Sequence, residues 1–141
     1  MVSPMQRFKR PLQWGLAIMF TVGGIAHFIK PAGYVAIMPP SLPYPLALVY
    51  ISGVVEAGLG MLLMVPRFTR IAAWGIALTL IAIYPANIYH AINGGISHPD
   101  LPPVFAEPVF AYVRLPFQLL FIAWAWWYTR PAAASASPAP A

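Results

Sequence analysis

Four stretches of the chain are free, or nearly free, of interior charge: Leu12 to Ile29, Pro45 to Val65, Ile71 to Ile92 and Phe110 to Tyr128. Each is long enough to cross a hydrocarbon layer about 30 Å thick as an α-helix. The pattern predicts an all-α membrane protein of four transmembrane helices in an antiparallel bundle. The short PRFTR turn, Pro66 to Arg70, leaves its flanking helices no arrangement but antiparallel neighbours. The other two connections, Lys30 to Tyr44 and Asn93 to Val109, are long, Pro-rich and too broken to span, and are expected to cap one end of the bundle.

The ends of the chain differ from its middle. Residues 1–11 form a basic lead-in, and PAAASASPAPA, from Pro131, lacks large apolar residues, so residues 129–141 read as a disordered tail. Arg7, Lys9 and Arg10 ahead of an apolar run ending in Gly24-Ile25-Ala26 also outline a cleavable signal sequence. The near-spanning length of that run and the small residues at its end favour a retained helix. No internal repeat suggests a transporter built from two halves.

Composition fixes the class. The 141 residues are 60% hydrophobic and only 8% charged, where a soluble domain carries about a quarter charged residues. A formal charge of +5 does not point to nucleic acid, because the basic residues are dispersed without an aromatic-basic cluster. Topology accounts for them: Arg7, Lys9, Arg10, Arg67, Arg70 and Arg130 fall on one side, and Lys30 and Arg114 on the other. By the positive-inside rule both termini are expected in the cytoplasm, and Trp14, Trp74, Trp124, Trp126 and Trp127 fall towards that same edge. The absence of Cys excludes thiol-disulfide chemistry, thiolate metal sites and cysteine-ligated clusters carried by this chain itself.

Polar side chains inside spanning segments cost free energy unless paired, so each is a candidate for function. At about 1.5 Å per residue, His27, Asn87, His90 and Arg114 lie roughly 3 to 8 Å from the outer helix ends, and Ser52 and Gln118 about 10 to 14 Å deep. Glu56 is deeper, near the midplane. Ser52 and Glu56, Asn87 and His90, and Arg114 and Gln118 are spaced three or four apart, so each pair shares a helix face. These seven residues are expected to surround one polar pocket in the outer half, above an apolar and aromatic inner half. Gly53, Ala57 and Gly60 form a small-residue stripe for close helix approach, as Gly23 and Gly24 do before His27. Pro85 is expected to kink the third helix and free the carbonyl of Ile81. Structural readings stand beside these: Glu56 protonated or in an ion pair with Arg114, His27 and His90 as interfacial groups, Arg114 snorkelling to the surface.

The segments GGIAHF with Pro31, SGVVEAGLGMLLMVP from Ser52 to Pro66, PANIYHA from Pro85 to Ala91, and RLPFQLLFIAW from Arg114 to Trp124 resemble the DoxX-like family of small four-helix membrane proteins. The resemblance covers roughly residues 12 to 128. It implies a four-helix architecture, a plasma-membrane location and association with membrane redox or thiol-stress complexes. It also singles out His27, Glu56, Asn87, Arg114 and Gln118, while the missing Cys departs from any member that uses its own thiols.

Four functions follow for the pocket. The first is a redox-associated subunit binding a quinone or similar amphipathic molecule, with His27, Arg114 and Gln118 as donors to the head and Glu56 or His27 as proton carrier. The second is a non-enzymatic scaffold for membrane partner subunits. The third is a haem protein with His27 and His90 as axial ligands, the only iron chemistry this chain can supply; no other metal site is expected. The fourth is a carrier of protons or a small solute through Glu56.

Overall fold

The computed structural model describes residues 4–130. Its helices are α1 (Pro4–Ile29), α2 (Pro31–Ala36), α3 (Pro45–Leu63), α4 (Thr69–Ile92) and α5 (Pro108–Thr129), with 3-10 turns at Pro66–Phe68 and Pro103–Ala106. No strand occurs among the described residues. Of the tail expected over residues 129–141, Thr129 instead ends α5 and residues 131–141 lie outside the described residues, as do the first residues of the basic lead-in.

The helices do not stop where the apolar runs stop. Arg7, Lys9 and Arg10 end the first apolar run, yet they are good helix formers, and α1 continues through them back to Pro4 rather than beginning at Leu12. At the other extreme α3 ends at Leu63, short of Val65. Val65 precedes a proline and takes the extended backbone that position demands, φ −92° and ψ 113°. Proline in the first turn, where its missing N–H costs nothing, opens α2, α3 and α5. The chain is a multi-pass membrane protein: the spans Arg7–Ile29, Pro45–Leu63, Pro66–Ile92 and Pro108–Thr129 are long and apolar enough to cross a bilayer. Large apolar residues such as Val54, Met61, Leu78 and Leu120 cover their outer faces, as lipid contact requires.

α1 packs chiefly on α3 and α4 chiefly on α5, and the two pairs are joined by a thinner contact between α3 and α4. The α1–α3 seam is a backbone contact. A Cβ on Gly24 would overlap the backbone of Ala57 and Gly53, and one on Gly60 would lie 2.6 Å from the Thr21 nitrogen. The glycines of α3 marked by sequence therefore serve the close approach expected of them.

At the end where α1 begins and α5 finishes, Leu16, Phe20, Leu63, Ile76 and Leu80 form a dry core with small alanines between them. Gln13 closes this end by donating to the Leu63 carbonyl (2.7 Å) and the Thr69 hydroxyl (3.0 Å). The Tyr128 hydroxyl donates to the Lys9 carbonyl at 2.7 Å, tying the last turn of α5 to the start of α1.

The opposite end is covered by the two long connections. α2 folds back onto α3 and α1, and Gly33 packs so tightly on the second connection that a Cβ there would meet Leu101 at 3.0 Å. That second connection is pinned by Gly94 and Gly95, both at positive φ (68° and 92°), and by the Ile96 N–H donating to the Phe105 carbonyl at 2.8 Å. Gly95 has no room for a side chain, since a Cβ would crowd the Ala106 backbone.

Candidate functional site

Beneath this cover lies a cavity of about 600 Å³ between the α1–α3 and α4–α5 pairs. Five of the seven residues chosen from sequence line it: His27, Ser52, Glu56, Asn87 and Arg114. His90 and Gln118 do not reach it. They stand behind it, fully or almost fully buried, and hold the residues that do.

On the α1–α3 side the polar groups form a chain. Ser52 donates to the Val49 carbonyl at 3.0 Å, and its oxygen lies 2.9 Å from His27 Nδ1. His27 Nδ1 is also 3.0 Å from that same carbonyl. A carbonyl only accepts, so Nδ1 carries a proton and shares it between the Ser52 and Val49 oxygens. The other ring nitrogen, Nε2, then faces Glu56 Oε1 at 3.7 Å. In a neutral ring Nε2 holds a lone pair, so one additional proton would lie between histidine and carboxylate, on either partner. This pairing corrects the ion pair expected between Glu56 and Arg114: the basic group within 4 Å of Glu56 is His27, on the helix held close by the glycine seam. Gly53 makes this possible, since a Cβ there would stand 2.7 Å from the His27 Cβ.

On the α4–α5 side the order is reversed, with the cation outermost. Arg114 Nη1 donates to His90 Nδ1 at 3.2 Å, and His90 Nε2 donates to the Phe105 carbonyl at 2.8 Å. Arginine has no acceptor, so His90 is neutral with its proton on Nε2. The guanidinium also lies over the rings of Phe105 (4.8 Å) and Phe110 (5.8 Å), which stabilise a cation on their faces. No carboxylate among the described residues comes within 4 Å of it. Asn87 donates to the Gln118 side-chain oxygen, and the Gln118 amide donates to the Leu80 carbonyl at 2.6 Å. Leu80 adjoins Ile81, whose carbonyl loses its partner to Pro85. Gln118 thus braces α4 beside the proline, and α4 stays helical through it.

Tyr34 is a site residue that sequence reasoning missed. It belongs to α2, lines the cavity, and packs its ring 3.9 Å from that of His27. Burial first, and then the field of Glu56, hold its hydroxyl above the usual phenol range, while Arg114 pulls the other way. The phenol is therefore a proton donor at neutral pH, standing in the field of both charges. Apart from Thr79, whose hydroxyl donates to the Gly75 carbonyl at 2.8 Å, the rest of the wall is apolar, with Ile37, Met38 and Leu42 from the first connection, Leu48, Ile51 and Val55 from α3, and Ala82, Ile83 and Ala86 from α4. No group of three or more His, Asp or Glu side chains able to hold a metal ion occurs among the described residues.

The comparison with known families attaches to this architecture as a whole. The chain belongs to the family described as a domain of unknown function (DUF8561), whose model matches residues 16–129 and so takes in three spans whole and most of the first. No curated protein and no solved structure gives a significant match.

Proposed function

We propose that this is a DoxX-like integral membrane protein, a redox-associated subunit that binds a quinone or similar amphipathic molecule in its polar cavity. The four spans form an antiparallel bundle with both termini in the cytoplasm, in the inner or plasma membrane, following the distribution of Lys and Arg. The cavity then lies in the outer leaflet. The observation that carries the reading is the cavity itself: one cationic donor, one histidine–carboxylate pair and one phenol converge at one end of an otherwise apolar space. Its volume falls in the range of small-molecule sites.

A quinone fits this lining on chemical grounds. Its two carbonyls need donors, which Arg114 and Tyr34 offer, and its isoprenoid tail needs an apolar wall, which α3 and α4 provide. When bound, the quinone supplies two-electron redox chemistry, with electrons from a membrane redox partner subunit. His27 and Glu56 would hold the proton nearest the head. Against a bis-histidine haem reading stands His90, which does not line the cavity and has both ring nitrogens engaged, Nδ1 by Arg114 and Nε2 by the Phe105 carbonyl.

The test is a reduced-minus-oxidised difference spectrum of the protein purified in its native lipid. The reading predicts an ultraviolet bleach without haem bands, weakened by Arg114→Gln. A featureless spectrum would favour the scaffold role, with the polar cluster holding the helices together and partners docking elsewhere.

A further inference from the structure

The charges around the cavity balance only while its one carboxylate stays ionised and apart from its one arginine. The chain has three carboxylates in all, Glu56, Asp100 and Glu107, and only Glu56 lines the cavity. The groups facing it are His27 from α1, Tyr34 from α2, Glu56 from α3 and Arg114 from α5. α4 contributes the uncharged Asn87, and the neutral His90 stands behind Arg114. Arg114 is always charged. With Glu56 ionised and His27 neutral the empty cavity has no net charge, but its two charges sit on opposite helix pairs without touching. With one proton between His27 Nε2 and Glu56 Oε1 the cavity carries +1.

We infer that the cavity binds an amphipathic molecule whose head is a monoanionic oxygen acid, and that it takes up one proton as it does so. The inference rests on the amphiphile-binding reading above, not on the ligand being redox-active. Low-dielectric surroundings penalise net charge steeply. An anionic head placed against the free N–H groups of Arg114 takes over the balancing role of Glu56, and the carboxylate then accepts a proton shared with Nε2. Anion and proton together leave the occupied cavity neutral. The existing contacts are arranged for this. His27 already commits Nδ1–H to Val49 and Ser52, so its free lone pair points to Glu56. Arg114 is held by His90 and two aromatic rings rather than by a carboxylate, so its remaining donors are open to a ligand.

Two sources share this head chemistry, a long-chain carboxylic acid and an acidic hydroxyquinone. The experiment uses protein in phosphatidylcholine nanodiscs and titration calorimetry in buffers of differing ionisation enthalpy. Dodecanesulfonate, an anion at all working pH values, reports whether the protein itself takes the proton. The expected result is one proton bound per sulfonate and an affinity that falls tenfold per pH unit where the pair is unprotonated in the free protein. Glu56→Gln should remove both proton uptake and pH dependence. Arg114→Gln should bring dodecanesulfonate down to the affinity of dodecanol, and Arg114→Lys should recover part of the difference, which a mere folding defect would not allow. Dodecanoate and an alkyl-hydroxynaphthoquinone then distinguish the two sources by affinity. Binding of dodecanol or a neutral quinone as tight as the anion, with no proton uptake, would overturn the inference and leave the amphiphile reading standing. Failure of all these probes to bind would overturn both.

Discussion

The two ends of the helix assembly are built on opposite principles. At the end where α1 begins and α5 finishes, Leu16, Leu63 and Ile76 are fully buried, alanines let the helices close on them, and the polar groups Gln13 and Tyr128 tie helix ends together. At the capped end the same helices diverge around about 600 Å³ of space, and the buried groups are His27, Glu56, Asn87, His90 and Gln118. In a bilayer, helix association draws on close packing and interhelical hydrogen bonds rather than on exclusion of water. The packed end supplies the first. The capped end keeps close packing along the α1–α3 seam, and buried polar contacts within each helix pair flank the cavity.

The largest effect should come from the α1–α3 seam that both ends share. Gly24→Leu forces a side chain into the backbone of Ala57 and Gly53 and should abolish folded protein, whereas Gly58→Ala, with nothing within 4 Å of its new Cβ, should keep or raise the melting temperature in detergent. Equal effects at the two glycines would mean the seam is not the contact described. Next, Ile76→Ala in the dry core should destabilise by about 2 kcal/mol, chiefly through the void it leaves. Ile51→Ala on the cavity wall, already 59% exposed, should cost well under half of that, as read by thermal or denaturant unfolding.

A smaller change separates the polar groups that line the cavity from those behind it. Gln118→Leu strands Asn87 and the Leu80 carbonyl and should cost about 1 kcal/mol, the scale of membrane side-chain hydrogen bonds. It should weaken ligand binding only through that loss of bracing. Ser52→Ala should be milder still in stability, about 0.6 kcal/mol. It removes one of two acceptors for His27 Nδ1–H, and a several-fold fall in ligand affinity measured in nanodiscs would show that the ring orientation matters to binding. An unchanged affinity would confine Ser52 to the seam.

Much of this was legible in the chain and some was not, for physical reasons. Spans are legible because length and apolarity are written residue by residue, though charge ends an apolar run without ending a helix, which is why α1 reaches back past Lys9. His27, Ser52, Glu56, Asn87 and Arg114 could be grouped because helical rise converts sequence position into depth. Which groups touch could not be read, because partner choice depends on rotation of each helix about its axis. The glycine seam turns α1 so that His27, rather than Arg114, meets Glu56. His90 and Gln118 share helix faces with lining residues but sit one layer behind, a distinction spacing alone does not make. Tyr34 was hidden because a six-residue helix between prolines has no signal of its own and takes its place only by folding back onto α3 and α1.

The central claim is that the cavity is kept open for a ligand rather than left by imperfect packing. Ala86→Phe tests it most directly, since Ala86 lines the cavity from α4 and the larger side chain is expected to take up part of the space while leaving every charged group in the chain. Wild type and variant would be purified in parallel in native lipid, and the small molecules retained by each quantified by mass spectrometry. The account predicts an amphiphile present in near one-to-one ratio with the wild type and lost from a variant of equal or higher thermal stability. An amphiphile retained equally by both, or by neither, would contradict it.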